Sequence, residues 1–167
     1  MSKSKVENKK SSIRVMWGVV CSLSSIDQQK NNISLFNVIT QLNVPKSDFE
    51  KVKQGGHKGL TIVTPHEVVV MFRRIFAQGV GSDELNIDVK VSFVDPNGQT
   101  IGEVLAPIKF LPNVKTHGHR INFNNFTIHG EGDYEYRVSI MERGEKDFTE
   151  IYAIPLSVEA SVIPLVR

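Results

Sequence analysis

The sequence predicts an all-β fold: two opposed antiparallel sheets, eight or nine strands in all, with one short helix. Three observations carry this expectation. Leu85, Ile87, Val89, Val91 and Phe93 alternate strictly with Asn86, Asp88, Lys90 and Ser92. Tyr134, Tyr136, Val138 and Ile140 alternate in the same way with Glu135, Arg137 and Ser139. A period of two with one apolar face describes a strand that is half in a core and half in water. Turn-forming clusters separate such segments at the spacing that two packed sheets require, the clearest being Asp95-Pro-Asn-Gly98.

Taken in order, Ile13–Cys21 is β-rich and apolar on both faces and predicts a buried strand, with Trp17 and Cys21 on one side and Val20 on the other. Ser22–Asn32 is polar and reads as a turn. Ile33–Val44 predicts one long strand, ended by Pro45, which has no N–H to give to a ladder. Ser47-Asp-Phe-Glu50 has the spacing of a capping box and is followed by Gly55-Gly56, so a short helix is expected there. Leu60–Val63 and Val68–Phe76 are strands parted by Thr64-Pro65.

The strand at Leu85–Phe93 returns through the Asp95–Gly98 turn into Gln99–Phe110, whose core face is Val104, Ala106, Ile108 and Phe110. Arg120–Ile128 changes phase at Asn124-Asn125, which predicts a β-bulge. The final strand shows Tyr152, Ile154, Leu156, Val158 and Ala160 to the core, with Pro155 marking an edge or a bend. The Gly-x-Tyr start of the Tyr134 strand resembles the tyrosine corner of immunoglobulin-like β-sandwiches, in which the hydroxyl ties back to nearby backbone.

The chain has 167 residues, enough for one domain with a core of its own, and 40% of them are hydrophobic. Its net charge of +2 is unevenly placed. Lys3, Lys5, Lys9 and Lys10 stand against Glu7 alone in the first twelve residues, a local +3 that leaves −1 for the rest. Residues 1–12 therefore read as a disordered basic tail and 13–167 as a single β-sandwich domain. A nucleic-acid binder carries its excess Lys and Arg on the folded surface, so contact through the tail is only a weaker alternative. One cysteine, Cys21, cannot form an internal disulfide, and there is no long apolar run. A reduced, cytoplasmic protein without membrane association is the simplest expectation.

The candidate chemistry is sparse. His117 and His119, two apart on a strand, project from one face and could chelate zinc or copper. His129, roughly ten residues along at ~3.3 Å each, is too far to complete that site. Asp27, Asp83, Asp95, Asp133 and Asp147 sit in turns, but no two come close enough in sequence to concentrate charge for calcium. The loop with Lys51, Lys53, His57 and Lys58 could meet an anion, though it reads first as a solvated cap. There is no Gly-x-Ser-x-Gly, His-Glu-x-x-His or phosphate-cradling loop. No catalytic residue and no cofactor is assigned.

Two packed sheets cover one face of each sheet. Ile33–Val44 and Val68–Phe76 are nevertheless apolar on both. Their outer faces need a cover: either the Lys46–Gly59 segment or another chain, with Phe36, Val38, Val69 and Met71 as the residues that would meet a partner.

Several stretches also resemble a family of uncharacterised bacterial and phage proteins known as a domain of unknown function. They are Met16-Trp-Gly-Val-Val-Cys21, Asn32-Ile-Ser-Leu-Phe-Asn-Val-Ile39, Asp95-Pro-Asn-Gly98, Gly132-Asp-Tyr-Glu-Tyr-Arg-Val138 and Ala153-Ile-Pro-Leu-Ser-Val158. The resemblance implies a small immunoglobulin-like sandwich and transfers no catalytic residue. The functional expectation is a non-enzymatic protein-interaction or assembly module, binding a protein partner or itself. The alternative is a metal-binding protein or metal-dependent enzyme built on His117 and His119.

Overall fold

The structure, a computed structural model, describes residues 11–27, 32–56, 58–75 and 83–162. The elements run β1 (Ile13–Asp27), β2 (Asn32–Val38), β3 (Gln41–Pro45), α1 (Lys46–Gln54), β4 (Leu60–Ile62), β5 (His66–Arg74), β6 (Leu85–Val94), β7 (Thr100–Phe110), β8 (Thr116–Phe123), β9 (Phe126–Ile128), β10 (Gly132–Glu142) and β11 (Thr149–Ser161). The chain is mostly β, with one short helix among the described residues. A four-stranded sheet has the order β2-β1-β5-β8, a five-stranded sheet the order β3-β11-β10-β6-β7, and β4 pairs with β9 in a small third sheet. All pairings are antiparallel except β3 with β11.

Both large sheets feed one core. Val20, Val68, Val70, Phe72 and Ile121 come from the four-stranded sheet, and Val89, Val91, Phe93, Tyr134, Tyr136, Leu156 and Val158 from the five-stranded one. Each such side chain, fully buried, contributes about 1.5–3 kcal/mol through lost apolar hydration. The two strictly alternating segments, β6 and β10, lie side by side at the middle of the five-stranded sheet. The sheets approach closely where β1 meets β11: a Cβ on Gly18 would sit 2.8 Å from Ile154 Cδ1.

The turn and corner signals have their expected hydrogen bonds. Gly98 N donates to Asp95 O at 2.9 Å, and Asp95 Oδ1 accepts from the N–H groups of Asn97 and Gln99 at 3.0 and 2.8 Å. Tyr134 donates its hydroxyl proton to Gly130 O at 2.9 Å and accepts from the His129 and Gly130 N–H groups.

Four expectations change. Ser22–Asp27 is no turn: β1 runs on to Asp27 and pairs with β2 through Leu23↔Phe36, Ser24↔Leu35 and Ile26↔Ile33, while residues 28–31 of the expected turn lie outside the described residues. Cross-strand pairing outweighs the low strand preference of its serines. Ile33–Val44 is two strands, not one. Asn37 adopts a left-handed φ of 49°, and the chain leaves the first sheet to join the second. The link is stitched at both ends by Ile39 N donating to Val20 O and Ser157 N donating to Thr40 O.

The phase change at Asn124-Asn125 is not a bulge but another such crossing, from β8 into β9. These two divisions take the count past the expected eight or nine strands to eleven among the described residues. The helix forms, but its N-cap is Pro45, with no side-chain cap bond. Pro155 sits where β11 has β10 on one side and lies ahead of the stretch, Ser157–Ser161, that pairs with β3.

Candidate functional site

The cover over the outer face of the four-stranded sheet is the chain's own β1–β2 hairpin. β5 is buried on both faces: Val68, Val70 and Phe72 point to the core, and Val69 and Met71 point away from it at 0% and 8% exposure. The hairpin lies over that second face. Ile33 of β2 reaches Gly118 of β8, where a Cβ would stand 2.8 Å from Ile33 Cδ1 and 3.6 Å from Met71 Cε. Ser24 Oγ donates to Glu67 Oε2 at 2.5 Å, and Arg120 Nη1 donates to Ser24 O at 3.2 Å and stands 3.7 Å from Glu67 Oε1. This polar tie fastens β1, β5 and β8 together. The expected cover, Lys46–Gly59, is elsewhere: α1 packs on β3 and β4.

Val69 and Met71 are therefore removed from the expected partner surface by the chain itself. Phe36 and Val38 remain on it, at 50% and 51% exposure. Leu23, paired with Phe36 across the hairpin and 55% exposed, joins them. Ile26, Ile33 and Leu35, on the other face, are half-buried. The result is an apolar strip on the solvent side of a hairpin whose second strand, β2, is the edge of its sheet. Leu23 was missed because Ser22–Asn32 reads as a turn, in which no side chain has a face.

His117 and His119 share a face, as their spacing requires, with ring centroids 5.9 Å apart. That face is the inner one, the same as Ile121 and Phe123, and His117 lies 5.4 Å from the Phe110 ring. Burial lowers both imidazoles below the ordinary histidine range. His119, further disfavoured as a cation by neighbouring His117, falls to about 4. His119 Nε2 is buried without a hydrogen-bond partner. Neutral imidazoles suit a metal, but among the described residues no group of three His, Cys, Asp or Glu could hold one. The pair supplies two ligands and lacks the third and fourth that a zinc site takes.

The other sequence candidates disperse. Asp95 serves its own turn and meets His129 Nδ1 at 3.1 Å. The Gln99 N–H is the main reason its carboxyl is held below the usual range. Cys21 is buried, and burial together with nearby Glu67 pushes its thiol up, away from the reactive thiolate. His57 and residues 1–10 of the basic tail lie outside the described residues. No helix among the described residues is long and apolar enough to cross a membrane.

A polar cluster that the sequence did not single out lies between the sheets. His66, 1% exposed, bonds through Nε2 to the Tyr136 hydroxyl at 2.6 Å and through Nδ1 to Thr64 O at 2.9 Å. Its only sequence signal is a polar residue at the start of an apolar run.

No family model matches the chain, and no curated protein does. Among solved structures, a family 123 glycoside hydrolase from Clostridium perfringens, the subject of a structural analysis of glycolipid glycan hydrolysis, aligns at 11% identity with a TM-score of 0.37. The alignment covers 90% of this chain and 27% of that one, so the chain spans about a quarter of that protein's length. A likeness at this level bears on neither fold nor activity.

Proposed function

We propose that the protein is a non-enzymatic interaction or assembly module. It engages a protein partner, or a second copy, through the outward face of the β1–β2 hairpin. The observation that carries this reading is the strip Leu23, Phe36 and Val38, half-exposed across β1 and the edge strand β2, while Val69 and Met71 on the outer face of β5 are covered. Edge strands with apolar side chains invite strand addition unless they are blunted, and β2 carries no charged residue.

An immunoglobulin-like sandwich is the finer architecture that fits this reading. Its supports are the tyrosine corner at the start of β10, the β6–β7 hairpin, and a short strand, β3, running parallel to the last strand. The resemblance to the uncharacterised bacterial and phage family agrees with such a module.

The experiment is mass in solution by light scattering, with an untargeted pull-down, for the wild type and Phe36→Asp. The wild type self-associates or captures a partner; the variant does neither and melts at nearly the same temperature, as surface substitutions do. A monomer at all concentrations whose captures ignore Phe36 would sink the proposal.

The unpartnered Nε2 of His119 supports one second reading, a zinc or copper site on His117 and His119. Metal analysis of untagged protein tests it: stoichiometric metal, lost in His119→Ala, is the expected result.

A further inference from the structure

His66 opens β5, and its ring lies where all three sheets meet. It stacks on Phe126 of β9 at 3.7 Å and 5°, and on Phe123 of β8 at 5.4 Å and 11°. It bonds to Tyr136 of β10. Thr64, which accepts its other bond, belongs to the link between β4 and β5.

The hydrogen bonds fix the tautomer of the neutral ring. A carbonyl can only accept, so Nδ1 carries the proton shared with Thr64 O. In the neutral ring, which burial favours, Nε2 is then a bare lone pair and Tyr136 donates its hydroxyl proton to it.

We propose that His66, held as the Nδ1–H tautomer between Thr64 and Tyr136, is an acid-sensitive latch that joins the sheets while neutral and releases them when protonated. A second proton on Nε2 sets N–H against O–H. Tyr136 can accept only by turning its own proton into apolar surroundings, among Phe93 and Phe123. The groups facing the ring are the Tyr136 hydroxyl from β10, Phe123 from β8, Phe126 from β9 and the Thr64 carbonyl. Of these only the Thr64 carbonyl favours a charged ring, and burial outweighs it. Glu67, next to His66 on β5, turns to the opposite face, toward Ser24 and Arg120.

Burial lowers the His66 pKa relative to the unfolded chain. A lowered histidine pKa means that folding favours the neutral ring. This contribution is complete above the unfolded value of about 6.5 and is lost as pH falls below it. Moving from pH 7 to pH 5 shifts the opening equilibrium toward release by at most about 25-fold for this one group, the ceiling set by the unfolded value.

The test reads the imidazole nitrogens of the full chain by NMR, and amide exchange at Phe126 and Tyr136, from pH 7.5 to 5. The wild type is compared with His66→Gln, a non-titrating side chain with one donor and one acceptor. The expected wild-type ring is Nδ1-protonated when neutral and takes its second proton only below the ordinary histidine range. Protection at the two amides falls more with acid than in the variant, by up to about 25-fold. An ordinary titration near pH 6.5, the opposite tautomer, or equal acid losses in both proteins would overturn the proposal. If His66→Gln does not fold, the wild type decides alone, since a neutral ring with undiminished protection at pH 5 also overturns it.

Discussion

The five-stranded sheet turns a charged face to water, whereas the four-stranded sheet is apolar on both faces and covers the second with its own hairpin. On the outside of the five-stranded sheet, Lys90 stands 3.6 Å from Glu103, Lys109 is 2.7 Å from Glu84, and Arg137 pairs with Glu135 and Glu150. Such exposed pairs contribute about 0–1 kcal/mol each and serve mainly to keep that face wet. On the outside of the four-stranded sheet, Val69 and Met71 are out of water, and one ionic tie, Glu67 with Ser24 and Arg120, spans β1, β5 and β8. The difference teaches that an apolar outer face can signal a second layer supplied by the same chain, and need not signal a missing partner.

Charge placed on the two outer faces separates them most sharply. Val69→Asp buries a carboxylate with no partner and is expected to destabilise by roughly 3–5 kcal/mol in denaturant unfolding, while Leu105→Asp, on the wet face, stays within about 0.5 kcal/mol. Equal losses would mean that the hairpin does not seal its sheet.

Next in size is Tyr134→Phe, which strips Gly130 O of its donor and two backbone N–H groups of their acceptor. A loss of about 1–3 kcal/mol is expected, with the β9–β10 corner exchanging its amides faster. An unchanged midpoint would show that water replaces the corner at no cost.

The smallest destabilisation among the buried positions is expected for Gly118→Ala. Its new Cβ meets the tip of Ile33, a side chain that can yield, so about 1 kcal/mol is expected. The telling sign is regional: amide protection falls in β2 and not in β10.

The same contrast explains what could be read from the sequence. β6 and β10 were legible because water lies on one side of them and the period of two survives in the residues. The tyrosine corner and the Asp95–Gly98 turn were legible because their chemistry is local. β2 and β3 were merged because Ile33–Val44 keeps its apolar character across the crossing at Ile39-Thr40, and only coordinates show that its two halves join different sheets. The Asn124-Asn125 phase change was visible, but a bulge and a crossing leave the same mark in a sequence.

Of the candidate site, the shared face of His117 and His119 followed from spacing alone. That this face is the inner one did not, because β8 carries apolar residues only at its end, in Ile121 and Phe123. Phe36 and Val38 were separable from Val69 and Met71 only once the hairpin's position was known.

β3 has one further consequence, in the order of assembly. It lies near the start of the chain, yet its partner in the ladder is β11, with Gln41 opposite Ser157. A growing polypeptide can zip β1 to β2 early, but β3 must wait until β11 has been made. Such distant pairings slow folding, because the ends of a long loop must first find each other. The nascent protein therefore stays unfastened along that margin until β11 has emerged, and β11 acts as its clasp.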